Sequence, residues 1–159
     1  MKHKAMLLAT CVAALSLPAM ADDMASHKTD VEKKSMQVMP FSMDATKHVF
    51  TPTTNGGSQT VLVINGDVKQ IPLVRTHLKK EAVAFAHGNF ADPAAIHGTD
   101  MPGIKTLSKS RGRMTVHYED VTNGAKIVFE SRDATVIDSL HRWFAAQVSD
   151  HGSHAAMKM

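Results

Sequence analysis

Between His48 and Gly152 the chain runs twice through the same succession of apolar and polar patterns. Short alternating or apolar runs come in pairs, each pair is split by Asn-Gly, and a segment with apolar residues every three to four positions follows. In the first unit, 48–88, the pattern predicts a strand at His48, Val49 and Phe50, a turn at Asn55-Gly56-Gly57, a second strand over 59–64 and a helix opening at Asp67. In the second, 113–152, it predicts strands over 114–119 and 126–130 around Asn123-Gly124, then a helix opening at Asp133. Asn-Gly between apolar runs is the strongest short-range hairpin signal. At 100° per residue Ile71, Val74, Leu78 and Phe85 share one face of the first helix. Ile137, Leu140, Phe144 and Val148 share one face of the second, with Trp143 and His141 on its flanks. Asp67 is placed to cap the first helix, with Gln70 as reciprocal partner. Both units also hold a His-x9-His-Gly run, from His77 to His87-Gly88 and from His141 to His151-Gly152.

The expected fold is therefore α+β: a duplicated β-β-α unit forming a four-stranded antiparallel sheet, with two main helices on one face. The connector 89–112 adds short helices, one at 93–97 after Asp92-Pro93 and one at 102–109. Residues 41–152 then form one domain. The polar stretch 22–40 reads as a flexible leader, because it has too little apolar surface to order itself. The tail 153–159 is expected to fray.

The first residues change the picture. Lys2 and Lys4, an apolar run over 5–17 and Ala19-Met20-Ala21 have the form of a secretory signal peptide, too short for a bilayer span. Cleavage after Ala21 takes 159 residues to 138 and removes Cys11, the one cysteine. Thiolate and disulfide chemistry are thereby excluded from the mature chain. Loss of Lys2 and Lys4 leaves 16 basic residues against 15 acidic ones, so charge gives nucleic-acid binding no support. A periplasmic or secreted protein is expected.

Phosphate-cradling glycine loops, H-E-x-x-H, paired CxxC and G-x-S-x-G are all absent from the sequence. What remains is histidine and methionine: nine of the ten histidines and eight of the eleven methionines follow Ala21. Imidazole and thioether favour copper, methionine selecting the soft Cu(I) state. Three groupings qualify. Met36, Met39 and Met43, joined by His48, form a soft-donor segment, against a reading as adaptable packing on the sheet. His97 and Met101 lie on the connector beside Asp100, with His87 ten residues earlier, although a histidine before glycine also suits a helix end. His141 and His151 share the last helix but sit roughly 15 Å apart along it, so each needs a partner from elsewhere. A composite of His77 or His87 with His141 or His151 is one such pairing.

The chain contains Thr54-Asn-Gly-Gly-Ser-Gln-Thr-Val, Gln70-Ile-Pro-Leu-Val-Arg-Thr-His-Leu, Phe90-Ala-Asp-Pro-Ala-Ala-Ile-His-Gly-Thr-Asp-Met-Pro-Gly and Trp143-Phe-Ala-Ala-Gln-Val-Ser-Asp-His-Gly. Over roughly 41–155 these stretches resemble a group of small exported bacterial proteins of uncertain function, some mislabelled aspartate carbamoyltransferase. That enzyme's Ser-x-Arg-Thr-Arg phosphate motif is not matched by Ser110-Arg-Gly-Arg, so the resemblance implies an exported one-domain module and transfers no catalytic residue. The functional expectation is an exported copper-binding protein acting in metal tolerance or delivery rather than catalysis. Its ligands would be His87, His97, Met101, His141 and His151, with Met36, Met39 and Met43 as accessory donors. Its partners would be a metal ion and another periplasmic protein, with neither nucleic acid nor a membrane span. The alternative is a haem or small-ligand module with Trp143, Phe90 and Tyr118 at its pocket.

Overall fold

Both Asn-Gly hairpins form in the computed structural model, which describes residues 19–159. The apolar run 5–17 of the expected signal peptide lies outside the described residues. Strand β1 (Thr46–Thr53) pairs antiparallel with β2 (Gly56–Val63), leaving Thr54 and Asn55 as the loop. Strand β3 (Met114–Val121) pairs in the same way with β4 (Gly124–Ser131) around Thr122 and Asn123. The glycines of the two turn signals become first residues of strands. Their role lies at the seam where the hairpins join, β2 antiparallel to β4. A Cβ on Gly56 would sit 2.0 Å from the Phe129 carbonyl oxygen, and one on Gly124 would sit 1.9 Å from that of Val61. Backbones this close admit only glycine.

The sheet has five strands, in the order β3-β4-β2-β1-β5, rather than the expected four. The added strand β5 (Ala155–Met157) comes from the tail, and it runs parallel to β1 with His48 opposite Ala155. Composition reads this segment as frayed, but an edge strand recruits it: β1 presents free backbone groups there, and Lys47 donates to the Ser153 carbonyl. Helices α2 (Gln70–Ala86) and α5 (Ala134–His151) cover the sheet. Each lies mainly on the hairpin that does not precede it, α2 over β3 and β4, α5 over β1, β2 and β5. The connector folds into α3 (Ala91–His97) and α4 (Ile104–Leu107).

The segment read as a flexible leader is helix α1 (Ala19–Val38), ending two residues before Pro40. Its composition lacks apolar bulk, but Val31 and Ser35, one turn apart, are fully buried where it packs on α3 and α5. So narrow a stripe leaves little trace in the segment's composition. None of the helices among the described residues is long and apolar enough to cross a membrane.

The helix starts differ from one another. The helix expected to open at Asp133 does so, and Asp133 caps it, its carboxylate accepting from the Thr135 and Val136 amides at 2.9 and 3.4 Å. Asp133→Ala should lower stability by about 1 kcal/mol, read as a shift in urea midpoint at constant slope; an unchanged midpoint would mean that the cap contributes nothing. Asp67 and Gln70 do join side chains at 3.0 Å, but in a turn ahead of the helix, since α2 starts only at Gln70. The buried stripe of α5 is also rotated from the expected one. It runs through Val136, Leu140, Trp143, Phe144, Gln147 and His151, so Trp143 lies at its centre and His151 at its end. Phe50, Phe129, Leu78 and Phe85 complete the core.

Candidate metal centre

His77 and Glu81 are four residues apart on α2, one turn along the buried stripe that carries Val74, Leu78 and Phe85. Asp92, in the first turn of α3, reaches the same point. One ligand atom from each of the three lies within 4.8 Å of the other two. Sequence reasoning marks Asp92 as a helix cap, but α3 begins a residue earlier at Ala91, and the Asp92 carboxylate turns to Lys80 at 2.9 Å. Lys80 also stands 3.7 Å from Glu81, with its ammonium reaching solvent. Burial, together with a hydrogen bond to Asp92, pushes the Glu81 carboxyl up to about 7. The Lys80 hydrogen bond holds Asp92 below the usual carboxylate range. Burial lowers His77, against the pull of Asp92, and so favours the neutral ring that a metal needs.

This cluster forms one wall of a small cavity whose other walls bring in His48, His97 and His151, with Met39, Gln59 and Trp143. The cavity measures about 30 Å³, room for an ion and a water or two but not for an organic substrate. Alternation along β1 turns Thr46, His48 and Phe50 inward. His48 is 1% exposed, and neither of its ring nitrogens has a hydrogen-bond partner among the described residues. Gln59 Oε1 and Trp143 Nε1 are in the same condition. A buried polar atom left unpaired costs about 1–3 kcal/mol, and three such groups face this one chamber. The His151 ring stacks on that of His48 with centroids 5.5 Å apart, and the His97 ring stands edge-on to His151 at 4.8 Å. His97 Nδ1 donates to Asp150 Oδ2 at 2.8 Å, the arrangement that fixes the tautomer and leaves Nε2 as the donor-atom lone pair. Burial first, and the His151 charge second, push His48 down to about 3. Burial and then His97 push His151 down to about 4.

Of the ligands expected from sequence, the structure joins His97 and His151 and adds Met39 to their cavity. His87 is exposed at the end of α2, its Nδ1 donating to the Val83 carbonyl at 2.7 Å, which is the helix-end alternative. His141 Nε2 donates to the Gly56 carbonyl at 2.7 Å and so ties α5 to the first hairpin. Met43 and Met101 are core residues, and Met36 is 64% exposed on α1, so the methionine segment does not close around one point. Trp143 and Phe90 are packed in the core and Tyr118 is bonded to Asp120 on β3, which leaves no aromatic-lined pocket of those three. Glu81 and Asp92 are not among the ligands expected from sequence, and His77 enters there only through the composite site. The signal for the first pair is local: histidine and glutamate four apart on a predicted helix. Compared with known proteins, the chain matches no family model, no curated protein and no solved structure.

Proposed function

We propose that this is an exported metal-binding protein that holds one first-row divalent ion at His77, Glu81 and Asp92, in metal tolerance or delivery rather than catalysis. The observation that carries the reading is the convergence of an imidazole and two carboxylates within 4.8 Å at the wall of a histidine-lined cavity. Nitrogen and oxygen donors suit Cu(II), Zn(II) or Ni(II), and among these Cu(II) binds a given site most tightly. Copper thus stays the preferred ion, but as Cu(II) on imidazole and carboxylate rather than Cu(I) on thioether. A cavity too small for a substrate favours holding the ion over using it in catalysis. Export rests on Lys2, Lys4, the apolar run and Ala19-Met20-Ala21. In the apo state Lys80 supplies the positive charge that the carboxylates need, and its exposed stem lets it withdraw when an ion arrives.

Trp143, the single tryptophan, lines the cavity and reports on it directly. Titration with Cu(II) at neutral pH should quench Trp143 emission with a stoichiometry of one and micromolar affinity or better. His77→Ala and Asp92→Asn should each weaken binding by at least about 10–100-fold, the cost of losing even an outer partner of a ligand, while Lys80→Ala should bind at least as tightly as the unsubstituted protein. Binding weaker than micromolar, or binding indifferent to both ligand substitutions, would end the proposal.

A further inference from the structure

The metal cluster faces solvent through Lys80, whose ammonium sits on both carboxylates and repels an approaching cation. A second surface pocket, lined by His27, His97 and Asp150, shares His97 with the cavity. Asp150 Oδ2 accepts from His97 Nδ1 and lies 3.4 Å from His27 Nε2, so two imidazoles from different helices converge on one carboxylate oxygen. The His27 side chain is half exposed on α1 and that of His97 is 1% exposed, so this group spans the wall from solvent to interior. From His97 the next ring is His151 at 4.8 Å, then His48 at 5.5 Å, and all three line the cavity that also holds His77, Glu81 and Asp92. Each gap is of the size that one side-chain rotation closes around an ion with ~2 Å ligand bonds.

Resting on the metal-binding reading above, we propose that divalent ions are captured at the surface by His27 and Asp150 and passed inward by ligand exchange along His97, His151 and His48 to the buried cluster. The unpaired nitrogens of His48 fit this route: a carrier at the last step must keep its lone pair free. So does the docking of α1, which holds His27 at the opening through Val31 and Ser35, at four-residue spacing on the same face.

Stopped-flow quenching of Trp143 by Cu(II) separates capture from storage. His27→Ala should slow loading about tenfold while leaving the equilibrium affinity and the final quench within about twofold of the unsubstituted protein. Lys28→Ala, one position along α1 and exposed, should change neither. Loading of His27→Ala at the unsubstituted rate overturns the route while leaving the buried site in place. Faster loading makes His27 a latch and overturns it too. Equal losses in rate and affinity would make His27 part of the final site rather than of its approach, which also overturns the route. No Cu(II) binding by the unsubstituted protein would remove both the route and the reading it rests on.

Discussion

Trp143→Ala is expected to destabilise the fold by about 3–5 kcal/mol. The indole is completely buried at the middle of α5, with five phenylalanine rings around it: Phe90 at 5.6 Å, Phe85 and Phe144 at 5.7 Å, Phe129 at 6.1 Å and Phe50 at 6.4 Å between centroids. Four of the five approach edge-to-face, an arrangement that adds to area burial through the ring quadrupoles. These rings come from β1, α2, the α3 entrance, β4 and α5, so no single element can shift to refill the space. Trp143→Phe should lose much less, because it keeps a ring in place and removes an indole N–H that has no partner. Urea denaturation followed by far-ultraviolet circular dichroism measures both variants. A loss below about 1 kcal/mol for Trp143→Ala would show that the aromatic cluster repacks, contrary to close packing.

How much of this fold is legible in the sequence depends on how local each signal is. The hairpins are readable because Asn-Gly and the alternation around it act within ten residues, and α2 and α5 because a 3.6-residue period needs no knowledge of the partner. The central position of Trp143 on α5 is not readable, because Ile137 and Val148 fit the same period almost as well as Val136 and Gln147; only the packed sheet chooses between them. Strand β5 and helix α1 escape the pattern for a related reason. Ala155-Ala156-Met157 becomes a strand because β1 has a free edge beside it, and α1 is ordered by two buried side chains. Neither fact is written in the segment itself. The same division runs through the site. Counting histidines points to the chemistry, yet His87 and His141 go to nearby carbonyls while His48 and His77 turn inward. Strand alternation with Phe50 does place His48 inside, and four-residue spacing does place Glu81 beside His77. The arrival of Asp92 from α3 depends on how the connector folds back, which no periodicity encodes.

Acidification of the metal-free protein should begin to cost it stability above the range in which surface carboxylates titrate. His48 and His151 have folded values of about 3 and about 4, against 6.5 for an exposed ring. The unfolded chain therefore binds their protons first, and the stability they contribute is lost progressively as pH falls below 6.5. Glu81 works in the opposite sense. Its folded value of about 7 lies above the ordinary 4.5, so the folded state takes up its proton first and gains stability as pH falls from 7 towards 4.5, after which the gain levels off. Summed by proton linkage from pH 7.5 to 4, the two histidines remove about 6 kcal/mol and Glu81 returns about 3, a net loss of about 3 kcal/mol. Asp150 steepens the lower end. Burial alone would raise its carboxyl, but hydrogen bonds from His97 and His27 outweigh burial and leave it lowered, so its contribution disappears as it protonates. Urea midpoints measured with a chelator present at half-unit pH steps should trace this fall, and His48→Leu should flatten it by removing the larger of the two histidine contributions. A curve level down to pH 4.5, or a His48→Leu curve parallel to that of the unsubstituted chain, would mean that His48 takes up its proton in the folded state. Below pH 6.5 the chamber would then hold a charged imidazole in place of a neutral donor, and cation binding would weaken there.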